Sequence, residues 1–264
     1  MHPIINIATR AARRAGDIIV RALNRLDQID ITAKGPNDFV SDVDHHAEAE
    51  IIKIIHKAYP SHAILAEESG SQGKGEYLWI IDPLDGTTNF LHGFPQFAVS
   101  IAVQHRDRLE HAVVYDPLRQ ELFTASRGAG AQLNDRRIRV SKAKGLDGAL
   151  IGTGFPFREH RHLKTYLKIF EDVMRHTAGI RRPGSAALDL AYVAAGRLDG
   201  FWEFGLNQWD VAGGALLIQE AGGIISDMSG GNDFMGSGNV VAGNLRVHQA
   251  LLDTVAAYLT ADMH

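Results

Sequence analysis

The sequence predicts an α+β fold built from layers of helix and sheet, and three observations carry that expectation. Two helical patterns fill the chain up to Pro60, short β-rich runs follow over residues 77–140, and strands alternate with helices after Ala149. In the first helix Ile4, Ala8, Ala11, Ala15, Ile18 and Ala22 recur at helical spacing, with Arg10, Arg14, Arg21 and Arg25 on the other side. The absence of acids before Asp17 gives this segment a superficial likeness to an organelle leader, but an amphipathic helix accounts better for the pattern. The second helix spans about residues 41–59, with Val43, Ala47, Ile51, Ile54 and Ile55 on one face and Pro60 as its stop. Between the two, TAKGPNDF reads as a turn-rich loop holding Lys34 and Asp38.

YLWII, FAVSIAV, HAVVY, ELFTAS and RRIRV then read as an antiparallel meander punctuated by Gly, Asn and Asp. Beyond it, ALIGTGF is expected as a strand, 160–176 and 185–195 as helices and DGFWEF as a strand. Residues 209–221 are expected as a helix, GGIISD and NVVAG as strands and 247–259 as a closing helix. The expected organisation is an N-terminal half, residues 1–145, and a C-terminal half, residues 146–264, packed as one compact unit. No solenoid-length repeat and no low-complexity linker divides them.

At 264 residues the chain is near the size at which one hydrophobic core stops growing, and 45% apolar with 22% charged residues is ordinary for a water-soluble protein. A net charge of -4 supplies no bulk positive field for nucleic acid or anionic membranes, so such a partner would need a local patch. The absence of cysteine excludes disulfides, thiolate zinc sites and cysteine nucleophiles, and fits a cytoplasmic location. No apolar run approaches the roughly 20 residues of a membrane span.

The stretch WIIDPLDGTTNF, residues 79–90, carries the chemistry. Its apolar start reads as a strand buried on both faces, so Asp82 and Asp85 stand at the strand's mouth, in a turn shaped by Pro83 and Gly86. A DPLDG turn can be purely structural. Two carboxylates held together repel, however, unless a cation or a proton compensates, and a hard divalent cation suits an all-oxygen site. Were the chain to turn into a helix after Gly86, the N–H groups of Thr87 and Thr88 would form an anion site beside the cation, a pairing suited to phosphate chemistry. Glu67 and Glu68 end the apolar run AILA, and Asp210 opens a helix in NQWDVAGG. Each has a plain alternative, Glu67 as a solvated loop charge and Asp210 as a helix N-cap.

In these motifs the chain resembles the inositol monophosphatase family of magnesium-dependent, lithium-sensitive phosphatases. WIIDPLDGTTNF, the upstream EES and the downstream WDVAGGALLIQEAGG carry the likeness, which extends from the first helix to NVVAGN. KGPNDFVSDVD, TGFPF and GSAALDLAYVAAGR resemble the bacterial SuhB-type branch. The resemblance implies an αβαβα sandwich, a homodimer and two to three Mg²⁺ per subunit. Glu67, Asp82 and the Leu84 carbonyl match ligands of a first ion, Asp82, Asp85 and Asp210 those of a second, with a weak third ion near Glu67. The implied reaction is hydrolysis of inositol 1-phosphate by a metal-activated water oriented by Glu67 and Thr87, with Asp44 bonded to the threonine. Gly86 and Thr87 match phosphate-binding positions, and Asp85, Gly184, Ala186, Glu203 and Asp210 match positions facing the inositol hydroxyls. Lys34 and Asp38 match a mobile loop that helps close the site. Arg181, in RRPGS, suits either substrate or a subunit interface.

Relatives with the same metal core act on fructose 1,6-bisphosphate, adenosine 3',5'-bisphosphate or NADP. The SuhB type is also associated with ribosomal RNA transcription antitermination in a complex with RNA polymerase and Nus factors. An acidic chain would reach RNA through such protein partners. Two departures from the family pattern bear on loop closure and substrate preference: the short SQGKGEY after EESG, and Pro183 where threonine is often seen. The second DPL, at Asp116, lacks the following acid and Gly-Thr and reads as a hairpin turn. The Gly128–Ala129–Gly130 stretch lacks phosphate-loop spacing, and the thirteen histidines show no metal-ligand spacing.

Overall fold

Residues 2–26, 31–35, 38–155 and 162–259 are described by the computed structural model, without the side chains of Ile31 and of residues 33–40. Helix α1 (Pro3–Leu23) starts with Pro at its first position, and His2 Nδ1 accepts from the N–H of Ile4. The chain then forms a hairpin, β1 (Ile31–Gly35) against β2 (Asp38–Ser41), where the sequence reads as a loop. Lys34 and Asp38 belong to its backbone; their side chains lie outside the described residues. Helix α2 (Asp42–Ala58) follows and packs on α1.

Strand β3 (Ala63–Ala66) leads through β4 (Gly70–Gln72) to β5 (Tyr77–Asp85), helix α3 (Thr87–Leu91) and the meander β6 (Ala98–His105), β7 (Arg108–Asp116), β8 (Glu121–Ser126), β9 (Gly130–Leu133) and β10 (Arg136–Arg137). They form an eight-stranded sheet in the order β10-β9-β8-β7-β6-β5-β3-β4, in which β5 runs parallel to β3 and antiparallel to β6. Alternation along β5 divides its side chains between two cores. Trp79 and Ile81 pack with α1 and α2, whereas Ile80 packs on the opposite side.

The remaining elements are β11 (Leu150–Thr153), α4 (Leu163–His176), β12 (Gly179–Arg181), α5 (Ala186–Ala194), β13 (Gly200–Glu203), α6 (Gln208–Glu220), β14 (Ile224–Ser226), α7 (Phe234–Ser237), β15 (Val240–Gly243) and α8 (Leu245–Ala256). A second sheet has the order β12-β11-β13-β15-β14. Leu190 and Ala191 of α5 and Val211, Ala215 and Leu216 of α6 join a core shared by Val114 and Phe123 of the first sheet and Phe201 and Ala242 of the second. Helix α6 is buried without interruption from Asp210 to Ile218, as a helix enclosed between two sheets must be. A Cβ on its Gly213 would approach Ser100 Oγ of β6 to 2.7 Å, so glycine permits the close contact. On the outer side of the second sheet, Ile151, Trp202 and Val241 pack with Tyr166 and Ile169 of α4 and Leu251 of α8.

The layers are therefore α1/α2, the large sheet, α5/α6, the small sheet and α4/α8, which is the αβαβα sandwich that the resemblance implies. Sequence periodicity leaves out β4, β9, β12 and the β1–β2 hairpin, and RRIRV is a strand only at Arg136 and Arg137. The short helix α7 precedes NVVAG. Among the described residues no helix is long and apolar enough to cross a membrane.

Candidate metal centre

A β-bulge builds the acidic site. Strand β5 does not stop before its aspartates but continues through Asp85, with Asp82 paired to Ser100 and Asp85 to Ala98. Three steps on β5 thus oppose two on β6, and since Ser100 and Ala98 share a face, the extra residue brings both aspartates to that face. The N–H of Leu84 donates to Asp82 Oδ1 over 3.0 Å, fixing the turn within the bulge. Gly86 then adopts φ 93°, and a Cβ there would meet the Gln96 carbonyl at 2.9 Å and that of Gly184 at 3.2 Å, so only glycine fits. Helix α3 starts at the next residue, Thr87.

Carboxylate oxygens of Asp82, Asp85 and Asp210 lie within 4.8 Å of one another. Asp210 is the third residue of α6, whose N-cap is Asn207, and Asp210 Oδ2 accepts from the Asn207 N–H over 2.7 Å. Asp210 is thus not the N-cap itself but its capping-box partner, a role compatible with the cluster. Asp85 Oδ2 accepts from Ser185 Oγ over 2.6 Å and from the N–H of Ala187 over 2.8 Å, both at the start of α5.

Burial and then the charges of Glu67, Asp85 and Asp210 hold the Asp82 carboxyl well above the usual carboxylate range, and a side-chain hydrogen bond with Glu67 adds to the effect. Burial pushes Asp85 up to about 6 against the downward pull of Ser185 and Ala187. Ionising this group of acids together requires positive charge among them. An all-oxygen donor set at this spacing fits hard divalent cations.

Glu67 follows β3, where its N–H donates to the Ile81 carbonyl of β5 over 3.1 Å. Buried Glu48 of α2 accepts the N–H groups of Glu68 and Ser69 over 2.8 and 2.9 Å and so clamps the loop that carries Glu67. Thr87 Oγ1 lies 3.0 Å from both Asp44 Oδ1 and the Leu84 carbonyl. Asp44 Oδ2 meanwhile accepts from the Ser41 N–H and hydroxyl at the start of α2. Asn89 Nδ2 donates to the carbonyls of Gln96 and Pro183 over 2.7 and 2.9 Å, which ties α3 to the segment before α5.

These groups surround a cavity of about 670 Å³. Its walls include Glu67, Asp82, Leu84, Asp85, Gly86, Thr87, Gly184, Ala186, Glu203 and Asp210, all of them positions singled out in the sequence. Asp44 stands behind the wall, reaching it through Thr87. The arginine on the wall is Arg182, whose guanidinium lies over the Phe155 ring; exposed Arg181 donates to the Ile180 carbonyl instead. Sequence reading passes over Glu48, Asn89, Ser185 and Asp189. Asn89 stands inside the quoted motif, and the pairing of Ser185 with an acid distant in the chain leaves no local signal.

The profile of the inositol monophosphatase family matches residues 1–261. A relative called Nus factor SuhB from Pseudomonas aeruginosa is 58% identical, covering 98% of each chain. The crystal structure of extragenic suppressor protein suhB from Bartonella henselae superposes with a TM-score of 0.95 at 45% identity, covering 98% of this chain and 100% of that one. The structure of inositol monophosphatase from Anabaena (Nostoc) sp. superposes with a TM-score of 0.86 at 38% identity, covering 98% of this chain and 97% of that one.

Proposed function

The chain belongs to the inositol monophosphatase family, and from that premise we propose that it is a Mg²⁺-dependent phosphomonoesterase that converts inositol 1-phosphate and water to myo-inositol and phosphate. The observation that carries this reading is the gathering of Glu67, Asp82, Asp85 and Asp210 on one cavity beside the Gly86–Thr87 turn. Glu67, Asp82 and the Leu84 carbonyl would hold one cation, Asp82, Asp85 and Asp210 a second, and Glu67 would adjoin a weaker third. When bound, such ions supply Lewis-acid stabilisation of phosphate charge and lower the pKa of water.

In this reading Asp44 orients the Thr87 hydroxyl, and Thr87 with Glu67 positions the attacking water in line with the ester bond. The N–H groups of Gly86 and Thr87 receive phosphate oxygens at the start of α3. Gly184, Ala186, Glu203, Asp85 and Asp210 border the space for the alcohol. The cavity volume of about 670 Å³ is within the range of small-molecule sites. Arg182 offers a guanidinium on the wall, the role that sequence left open for Arg181. We place the protein in the cytoplasm as a homodimer, with closure of the loop holding Lys34 and Asp38 as part of turnover.

Phosphate release from inositol 1-phosphate, with and without Mg²⁺ and with lithium, tests the activity. Turnover independent of metal would sink the mechanism. Negligible turnover beside rapid hydrolysis of fructose 1,6-bisphosphate, adenosine 3',5'-bisphosphate or NADP would reassign the substrate.

A second reading is favoured by the 58% identical relative called a Nus factor. In it the chain also serves ribosomal RNA transcription antitermination through RNA polymerase and Nus factors. Binding of the purified chain to those partners tests it, and absence of binding at micromolar concentrations would remove it.

A further inference from the structure

Asp189 of α5 is only 1% exposed, yet it lines the cavity. It lies one helical turn beyond Ser185, to whose carbonyl its N–H donates over 3.0 Å, so it is placed on the α5 face that also carries the Asp85 partner. Its Oδ1 is buried with no hydrogen-bond partner among the described residues. An acid in the first turn of a helix is ordinarily favoured by the helix dipole. That explains an exposed Asp better than one buried with an unpaired oxygen, which carries a desolvation cost.

The surroundings specify what could complete it. Glu203 and Asp85 act on Asp189 with negative charge, opposed by Arg182, and burial and those two acids raise its pKa well above the usual range. A phosphate oxygen would meet repulsion beside these acids. A hydroxyl group would not, because it is neutral and can give its proton to an Asp189 carboxyl oxygen whether or not the carboxyl is ionised. Glu203, at the end of β13 on the same cavity, also offers a carboxylate to a second hydroxyl.

We propose that Asp189 is a specificity-determining residue that hydrogen-bonds a ring hydroxyl of a polyhydroxylated phosphate ester bound in the cavity. The proposal rests on the phosphomonoesterase reading above and adds to it the group that separates polyol esters from simple alkyl esters. A site built around a buried polar group discriminates strongly against ligands that leave that group unpaired.

The test compares kcat/KM for inositol 1-phosphate with kcat/KM for cyclohexyl phosphate, which has the ring but not the hydroxyls. Both substrates report on the same folded fraction, so the ratio is insensitive to partial misfolding. The wild type is expected to prefer inositol 1-phosphate. Asp189→Leu, apolar and branched at the same carbon, lowers the ratio at least about tenfold, chiefly through KM, as loss of one hydrogen bond to a carboxyl predicts. Asp189→Asn retains an acceptor oxygen and stays within roughly threefold of the wild-type ratio.

An unchanged ratio in Asp189→Leu overturns the proposal, as does a wild type without preference. A shift in Mg²⁺ half-saturation with a constant ratio also overturns it, by making Asp189 a cation ligand. Should Asp189→Leu fail to fold, Asp189→Ala replaces it with the same ratio as the criterion. Failure of the phosphomonoesterase reading is separately visible as a wild type that hydrolyses neither ester with Mg²⁺.

Discussion

Ser185 Oγ donates to Asp85 Oδ2 over 2.6 Å, joining the end of β5 in the large sheet to the start of α5 in the middle layer. The Ala187 N–H reaches the same oxygen, so Asp85 is oriented from the opposite half of the chain before any cation arrives. Both bonds favour the ionised carboxyl, the form a cation needs. Ser185→Ala should weaken that preparation by about 1.5–3 kcal/mol, the range for hydrogen bonds to charged groups. The expected outcome is a rise in Mg²⁺ half-saturation of roughly tenfold or more, with kcat at saturating metal little altered. A Mg²⁺ titration of phosphate release reads both quantities, and an unshifted midpoint would show that Asp85 is held without the serine.

The pH dependence of the metal-free protein follows from the same residue. Asp85 is pushed from 3.8 to about 6, so over that interval the folded chain binds more protons than the unfolded chain. The stabilising proton is fully bound below the unfolded pKa and is lost as pH rises through the folded one. In a chelator, wild type should therefore lose about 2 kcal/mol relative to Asp85→Asn between pH 4 and pH 7. Mg²⁺ should restore wild type at the upper end and leave the variant behind. Urea unfolding of both proteins at the two pH values measures the difference. A parallel response of the two would contradict the assignment.

Thr87 and Asp44 offer a test that separates orientation from folding. Their 3.0 Å contact spans from α3 to α2, while Asp44 also holds the start of α2 through Ser41. Thr87→Val keeps the side-chain shape and removes the hydroxyl, so kcat should fall roughly 10- to 100-fold through loss of a charge-assisted hydrogen bond, with little change in stability. Asp44→Ala should in addition destabilise the protein by about 1 kcal/mol, because the α2 cap is lost. Steady-state kinetics and thermal melts of the two variants distinguish the roles. Equal kcat in wild type and Thr87→Val would remove the threonine from water positioning.

The middle of the acidic motif is constrained by backbone as well as charge. At Gly86 an alanine would have to hold φ 93° and place its Cβ 2.9 Å from the Gln96 carbonyl. The left-handed conformation costs about 1–2 kcal/mol, and the clash adds to it. Gly86→Ala should lower Tm by roughly 5–10 °C and abolish turnover, because it moves Asp85 and Thr87 together. A fully active variant with an unchanged melt would show that the turn adopts another conformation.

How much of this was legible depends on the distance between partners along the chain. The helices α1, α2, α5 and α6 and the central strands follow from periodicity, because burial of one face or of a whole element imprints on neighbouring residues. The acids of the site were legible too, since clustered carboxylates at strand and helix ends violate the usual preference for burial of apolar groups. The bulge was not. On a regular strand Asp82 and Asp85 would face opposite sides, and only the pairing with Ser100 and Ala98 brings them together. Glu48 and Ser185 were equally hidden, because a capped loop or an oriented carboxylate is created by residues remote in sequence. The β1–β2 hairpin reads as a loop in the sequence because Gly35 and Pro36 punctuate it more strongly than its short strands alternate.

Asp82 separates catalysis from any binding role. It is 1% exposed, and its charge is opposed by Glu67, Asp85 and Asp210. Asp82→Asn is isosteric and removes one member of that repelling group, so the metal-free variant should be at least as stable as wild type. It also removes the carboxylate expected to bridge two cations, and the lost stabilisation of phosphate charge should lower kcat/KM by about 10³-fold or more. A partner that docks on the outer surface would not sense the change, because Asp82 is buried on the cavity wall. Replacing the native gene with one encoding Asp82→Asn, alongside phosphate-release assays and partner binding, checks the division. If the second reading holds, phosphatase activity disappears while binding to RNA polymerase and Nus factors persists. Joint loss of both in a folded variant would instead mean that partner recognition requires the intact metal centre.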